Sequence, residues 1–232
     1  MIKVNSYIVS GAKPWNRRIF TELKDSLPGK WRFCSDPGEI AQHLKRSKKP
    51  RYIFFLHWPW KVPAQIIDNH ECICFHMTDV PYGRGGSPLQ NLISRNHRST
   101  KLTALRMIKD FDAGPVYLKE DLSLEGNAEE IYIRATYLSF SMIKQIIEQS
   151  INPINQTGKP VIFKRRNPQD SRISEFINLQ SLYDFIRMLD ADGYPKAFLE
   201  FNGFRYEFSR AGLYNGRIVA DVNISPIKKE DK

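Results

Sequence analysis

Short apolar runs alternate with amphipathic stretches along the first half of the chain. β-rich runs lie at residues 3–9, 31–33, 52–56 and 72–76. Between them, at 15–27, 37–46 and 63–68, apolar residues recur at spacings of three and four, which is typical of helices packed on one face. Alternation of this kind predicts an α/β fold with an open, mostly parallel, Rossmann-like sheet flanked by helices.

Local signals mark where helices begin. Asp36 is followed by Pro37 and by Glu39, which predicts a capped helix start. Ser87 and Pro88 repeat the pattern, directly after a glycine-rich loop at 82–86, and predict a helix over 88–95.

The same patterns continue to the end of the chain. We predict strands at 102–108 and 115–122, a long helix at 128–149 capped by Asn127, and a linker at 151–160. Beyond the linker, a helix at 181–189 and strands at 196–202, 204–210 and 217–222 are predicted. Asn-Gly turns at 202–203 and 215–216 join these strands. We therefore expect a catalytic domain over 1–155 and a small C-terminal β-rich subdomain over 156–232.

The composition of the chain limits the partners, metal sites and cellular compartment that we expect. The formal net charge is +10, which favours an anionic partner, but the basic residues are dispersed and a nucleic-acid partner is not expected. No apolar stretch is long enough to span a membrane. Three cysteines with no metal-site spacing favour a reducing compartment, so we expect a cytoplasmic protein without a metal.

Candidate catalytic residues lie in the β-rich run at residues 72–76. In a strand, Cys72, Cys74 and His76 share one face, and His76 occupies the carboxyl end. Ligands bind at that edge of open α/β sheets, and a histidine there suits proton transfer. The alternative is a histidine that simply satisfies a backbone partner.

Further residues follow His76 in a recognisable order. These are Thr78, Pro81, Arg84-Gly85, Pro88, Thr103, Met107 and Asp112-x-Gly114. The pattern resembles the folate-dependent formyltransferase family, and the resemblance covers most of the chain. It implies 10-formyltetrahydrofolate as co-substrate and a catalytic Asn, His and Asp. His76 and Asp112 match two of these, whereas Cys74 stands where the family usually has Asn.

The resemblance also implies binding residues. Trp58, Trp60 and Lys61, together with Asp112, are expected to border the folate. The acceptor is expected to contact residues of the loop after His76, namely Thr78, Pro81, Tyr82, Arg84 and Gly85.

The acceptor expected from the resemblance is a nucleotide-linked amino-deoxy sugar. A UDP- or dTDP-linked 4-amino-4,6-dideoxy sugar, used in surface polysaccharide biosynthesis, is the example. The segment after the linker is short for the tRNA-binding domain of a tRNA formyltransferase. That enzyme, a formyltetrahydrofolate hydrolase and a non-catalytic folate- or nucleotide-binding module remain alternatives. Exposed hairpins near the end could join two chains as a homodimer.

Overall fold

The computed structural model describes residues 4–227 and contains two compact units. Within the described residues, unit 1 is formed by residues 4–85, 100–122 and 132–163, and unit 2 by residues 86–99, 123–131 and 164–227. Because segments of the chain alternate between the units, no single point of the sequence separates them. The boundary after residue 155 stays a prediction.

Strands and helices follow one another in the predicted alternation. The strands are β1 Ser6–Gly11, β2 Lys30–Cys34, β3 Tyr52–Leu56, β4 Cys72–His76, β5 Tyr82–Gly85, β6 Ser99–Arg106, β7 Val116–Ser123, β8 Val161–Phe163, β9 Ala197–Phe201, β10 Phe204–Tyr214 and β11 Arg217–Pro226. The helices are α1 Pro14–Leu23, α2 Pro37–Arg46, α3 Ala64–Asn69, α4 Pro88–Ile93, α5 Ala128–Glu148 and α6 Leu179–Arg187.

A six-stranded sheet forms the centre of unit 1, in the order β2-β1-β3-β4-β6-β7. The four strands β2, β1, β3 and β4 pair in parallel, and β6 then runs antiparallel to β4. The predicted mostly parallel α/β fold is therefore confirmed. Parallel pairing places the carboxyl ends of β1, β3 and β4 at one edge of the sheet and their amino ends at the other.

Both faces of this sheet are buried, which explains why its strands are almost uniformly apolar. One face buries Ile8, Ile53 and Phe55 with Ile40 of α2. On α1, Phe20 packs against Phe33 and Phe140, with ring centroids 5.3 and 6.4 Å apart. Each such side chain contributes about 1.5–3 kcal/mol when fully buried, so the sheet is a rigid base for the residues at its edges.

Two predicted helix caps are confirmed by hydrogen bonds. Glu39 N donates to Asp36 Oδ1 at 2.9 Å, and Glu130 N donates to Asn127 Oδ1 at 2.9 Å. Ser87 differs. Its φ is +48° and its hydroxyl accepts a hydrogen bond from Arg166 N instead of capping α4, so the predicted cap there is wrong.

Unit 2 contains the antiparallel sheet β11-β10-β9 and helices α4 and α6. The antiparallel sheet and α6 confirm the predicted C-terminal β-rich subdomain, whereas α4, from the first half of the chain, was not expected in it. Arg187, 3% exposed, donates from Nε to Asp184 Oδ1 at 2.6 Å and from Nη1 to the carbonyls of Leu124 and Gly126. The buried charges are thus paired and hydrogen-bonded, as burial requires.

Two segments differ from the sequence prediction. Tyr82–Gly85, expected as a loop, is the strand β5 and pairs in parallel with β8. The expected linker at 151–160 is attached to unit 1, because Ile154 forms a backbone bridge with Val116. Both differences arise from pairing between residues far apart in sequence, which local patterns do not record.

Candidate active site

His76 is the last residue of β4 and lies at the carboxyl edge of the six-stranded sheet. It aligns with Thr103 of the antiparallel strand β6, and it is 8% exposed. The predicted position at a strand end is confirmed. The ring therefore lies where loops from several strands converge.

The His76 ring has a different neighbour at each nitrogen. Nε2 lies 2.8 Å from the carbonyl oxygen of Gly83. Because a carbonyl only accepts, Nε2 carries the hydrogen and donates it. Nδ1 lies 3.6 Å from Asp112 Oδ1, which is beyond hydrogen-bond length but close enough for charge attraction. In the neutral ring Nδ1 is the basic atom, and a proton accepted there is stabilised by the carboxylate.

Asp112 is held in position by the conformation of its own loop and by a hydrogen bond from β5. Its φ is +53°, in the left-handed region, and its Oδ2 accepts a 2.9 Å hydrogen bond from Gly85 N. A Cβ at Gly114 would lie 1.8 Å from the carbonyl oxygen of Arg106, so only glycine fits there. The Asp-x-Gly spacing thus has a steric basis, and it leaves Oδ1 facing His76.

Gln156 braces this loop and was missed by the sequence reasoning, which placed it in a linker. Its Nε2 donates to the carbonyls of Asp112 and Gly114, each at 2.8 Å. Its Oε1 accepts from Arg84 Nε and Nη2 at 3.1 and 2.8 Å. One side chain therefore joins the Asp112 loop to β5. No sequence signal would have identified it, since an isolated glutamine in a polar segment has many ordinary roles.

The loop predicted to contact the acceptor lies beside His76, but the side chains of Thr78 and Arg84 form hydrogen bonds with other residues of the protein. Thr78 is fully buried, and its hydroxyl donates to Gly83 O at 3.2 Å. The guanidinium of Arg84 binds Gln156. Their contacts shape the loop around His76, and a direct role toward the acceptor stays a prediction.

The other three residues predicted to contact the acceptor, Pro81, Tyr82 and Gly85, are held in position by contacts with β8. The carbonyl of Pro81 accepts from Val161 N at 3.1 Å, and the ring of Tyr82 meets Phe163 edge-on at 5.3 Å. Gly85 has a φ of +104°, and a Cβ there would lie 2.5 Å from Phe163 O. The amide of Gly85 is thereby directed at Asp112.

Cys74 lies two residues before His76 on the same face of β4. It packs against the apolar cluster that includes Phe55 and Cys72. Burial, and then the nearby carboxylate of Asp112, raise the pKa of the Cys74 thiol far above its ordinary value. The thiol therefore stays protonated and neutral, which excludes a thiolate nucleophile and leaves only a weak hydrogen-bond donor.

The predicted folate-binding residues follow β3, the strand beside β4. The ring of Trp58 meets Phe55 edge-on at 5.5 Å, and Trp60 packs against Trp58 at 4.8 Å. Trp60 is 44% exposed and Lys61 is exposed as well. An aromatic surface and a cation thus lie at the sheet edge that holds His76.

The sequence analysis did not predict that His57 and Trp15 would place buried polar atoms at this edge of the sheet. His57, at the end of β3, meets Tyr132 edge-on at 5.0 Å, and Tyr132 stacks at 6.2 Å on Trp15. Burial, and then the charge of Lys13, lower the pKa of His57 to about 4, so the ring is neutral at physiological pH. Within residues 4–227, Nδ1 of His57 and Nε1 of Trp15 are buried without a hydrogen-bond partner. A histidine directly after a buried strand was the available signal.

Within the described residues 4–227, no group of three or more His, Cys, Asp or Glu side chains is arranged to hold a metal ion. No helix in the same part of the chain is long and apolar enough to cross a bilayer.

Comparison with known proteins identifies the family. Methionyl-tRNA formyltransferase from Clostridium thermocellum is 40% identical and superposes with a TM-score of 0.90, covering 96% of this chain and 100% of that one. The chain belongs to the formyltransferase family. Residues 168–225 match the family described as methionyl-tRNA formyltransferase, C-terminal domain.

More distant formyltransferases share less sequence identity with this chain. Methionyl-tRNA formyltransferase from Wolinella succinogenes is 28% identical over 61% of this chain and 48% of its own length, so the chain spans about half of such curated relatives. A sugar N-formyltransferase from Shewanella is 14% identical with a TM-score of 0.61, covering 97% of this chain and 99% of that one. That likeness shows the fold alone.

These findings correct two expectations. The nucleotide-linked amino sugar is wrong as the acceptor, because the 40% identical relative is a methionyl-tRNA formyltransferase. The exclusion of nucleic acid as a partner is wrong for the same reason. The segment after the predicted linker seemed too short for the C-terminal domain of a tRNA formyltransferase, yet residues 168–225 of this segment match the family described by that name. Length was a poor guide because a compact β-rich unit needs few residues.

Proposed function

We propose that this protein transfers the formyl group of 10-formyltetrahydrofolate to the amino group of methionyl-tRNA. The observation that carries the proposal is the 40% identity to a methionyl-tRNA formyltransferase across that protein's entire chain. The match of residues 168–225 to the C-terminal domain of such enzymes supports the same acceptor. A net charge of +10 suits a polyanionic substrate.

His76 and Asp112 perform the proton transfers in this proposal. The amine attacks the formyl carbon and forms a new C–N bond, and the bond between that carbon and the folate nitrogen then breaks to release tetrahydrofolate. The amine nitrogen must lose a proton, and the departing folate nitrogen must gain one. Nδ1 of His76 accepts the first proton, and the carboxylate of Asp112, 3.6 Å away, stabilises the resulting imidazolium. The same proton is then available to the departing folate nitrogen.

The oxyanion formed during attack needs a hydrogen-bond donor. Cys74 occupies the position of the family's usual Asn, but its neutral thiol is a weak donor. Protonated His76 presents an N–H at Nδ1 and a positive charge at the same place. We therefore give His76 both tasks, with oxyanion stabilisation following proton transfer.

The donor is proposed to bind beside β3. The exposed ring of Trp60 offers a surface for stacking, and Lys61 offers a cation for the carboxylates of the folate glutamate. A cytoplasmic location and a homodimer accompany the proposal as predictions from the sequence.

The proposal is tested by incubating the purified protein with 10-formyltetrahydrofolate and methionyl-tRNA, and by detecting formylmethionyl-tRNA with mass spectrometry. Uncharged tRNA and free methionine are the controls. We expect formylation of methionyl-tRNA alone. Formate release without an amine acceptor would instead indicate a hydrolase. Folate binding without any product would indicate a non-catalytic module.

A further inference from the structure

A large groove runs along the amino edge of the six-stranded sheet, opposite the edge that holds His76. Its volume is about 1300 Å³. It is lined by the first residues of β1 and β2, by the segment between α2 and β3, by the end of α3 with the segment that follows it, and by the end of β6. All of these segments belong to unit 1.

The groove is strongly basic. Two acidic side chains, Asp68 and Glu71, line it together with six cations, so its formal surplus is four positive charges. The six cations are Lys30, Arg32, Lys48, Lys49, Arg51 and Arg106. All but Arg106 are exposed.

One of the two acids is already neutralised. Arg106 Nε donates to Glu71 Oε1 at 2.6 Å, and the hydroxyl of Tyr117 donates to the same oxygen. The cations at the rim are different: within residues 4–227, neither Lys30, Lys48 nor Lys49 forms an ion pair within 4.0 Å. These ammonium groups are therefore available to an anion from outside.

We propose that this groove binds the phosphate backbone of tRNA, at a site distinct from the place where the aminoacyl end reacts. The identity of the RNA rests on the proposed function. A long groove with several unpaired cations suits a polyanion, because each phosphate neutralised by a lysine releases condensed counterions. Backbone contacts of this kind position the RNA and carry no sequence information.

The groove cannot take part in the chemistry. The strands of five or six residues between the two edges are about 17 Å long at roughly 3.3 Å per residue. Contacts in the groove therefore hold the body of the RNA while His76 faces the reacting end. Loss of these contacts should raise the dissociation constant and KM for tRNA without changing kcat.

The test compares two variants of the full chain with equal loss of charge. Lys30, Lys48 and Lys49 are replaced by alanine in the groove variant. The control replaces three exposed cations outside the groove, Arg18, Arg46 and Lys144, also by alanine. Binding of uncharged initiator tRNA is measured by fluorescence anisotropy from 50 to 300 mM KCl, and kcat and KM are measured for methionyl-tRNA.

We expect the groove variant to bind tRNA about tenfold more weakly, and its slope of log affinity against log salt to fall by about 2 to 3, or roughly 0.7–0.9 for each lost phosphate contact. The control should keep the wild-type slope. Equal losses in the two variants would overturn the proposal, as would a fall in kcat. A third outcome would also overturn the proposal: the wild type binds phosphatidylserine vesicles and the groove variant does not, while both bind tRNA equally. The groove would then be a membrane-binding site.

Failure of this proposal and failure of the proposed function are distinguishable. Formylation that is insensitive to the three lysines removes the groove from tRNA binding and leaves the reaction intact. Lysine-dependent tRNA binding without formylation supports the groove and removes the reaction.

Discussion

The side chains proposed to act at the two edges of the six-stranded sheet differ in how they are partnered. At the carboxyl edge, the polar groups of His76, Asp112 and Gln156 are each engaged by atoms of the protein. At the amino edge, Lys30, Lys48 and Lys49 extend into a groove without an ion pair in the described part of the chain. The strands that separate the edges are almost entirely apolar.

This difference corresponds to two proposed functions, proton transfer at one edge and binding of a polyanion at the other. Proton transfer needs groups held within a few tenths of an ångström, which requires hydrogen bonds to rigid backbone. Attraction of a polyanion needs only charge at the surface, and mobile lysines suffice. One sheet can therefore serve both purposes, and changes at each edge should affect different kinetic constants.

Removal of His76 should have the largest effect. In His76→Ala, both the proton acceptor and the cation that faces the oxyanion are lost, so kcat should fall by about 10² to 10⁴. Binding of tRNA should be unchanged, because the groove lies at the other edge. The matched control is Cys74→Ala on the same strand face, where loss of a weak donor should cost less than about fivefold. A His76→Ala enzyme with wild-type kcat would remove the mechanism.

Gln156 should act by positioning Asp112. In Gln156→Leu, the carbonyls of Asp112 and Gly114 and the guanidinium of Arg84 lose their partner, so kcat should fall about tenfold. The informative measurement is the double variant with Asp112→Asn. If Gln156 works through Asp112, the double variant should be no slower than Asp112→Asn alone. Additive losses would indicate a general structural role.

His57 should make stability depend on pH. Its pKa is about 4 in the folded protein and 6.5 ordinarily, so between these values the unfolded chain binds a proton that the native protein does not. The free energy of unfolding should therefore decrease by about 3 kcal/mol as the pH falls from about 7.5 to 4, and His57 should contribute almost no slope above about 7.5. Urea unfolding of the wild type and of His57→Phe measures this difference.

His43, at the amino edge, gives the matched comparison for His57. Burial and Arg32 also lower its pKa, but its ring is hydrogen-bonded to Ser47 and only partly buried. His43→Phe should therefore retain most of the wild-type pH dependence. Equal slopes in the wild type and in His57→Phe would exclude His57 as the cause.

The prediction from sequence succeeded where local pattern and tertiary structure agree. Apolar runs and caps such as Asp36 located β3, β4 and α2 at their observed bounds, because burial of both sheet faces enforces those patterns. The carboxyl-edge position of His76 followed from the same periodicity. The acceptor was predicted wrongly because the resemblance and the length of the second half did not distinguish related substrates.

The sequence by itself determined the α/β class, the strand end that holds His76 and the Asp112-x-Gly114 loop, since each depends on residues close together in the chain. Tertiary structure alone decided the rest. Gln156 reaches Asp112 across 44 residues, and β5 pairs with β8. The basic groove draws on segments from Val4 to Met107. Such contacts depend on which segments the folded chain brings together, because hydrogen bonding and charge act over a few ångströms in space, whatever the separation in sequence.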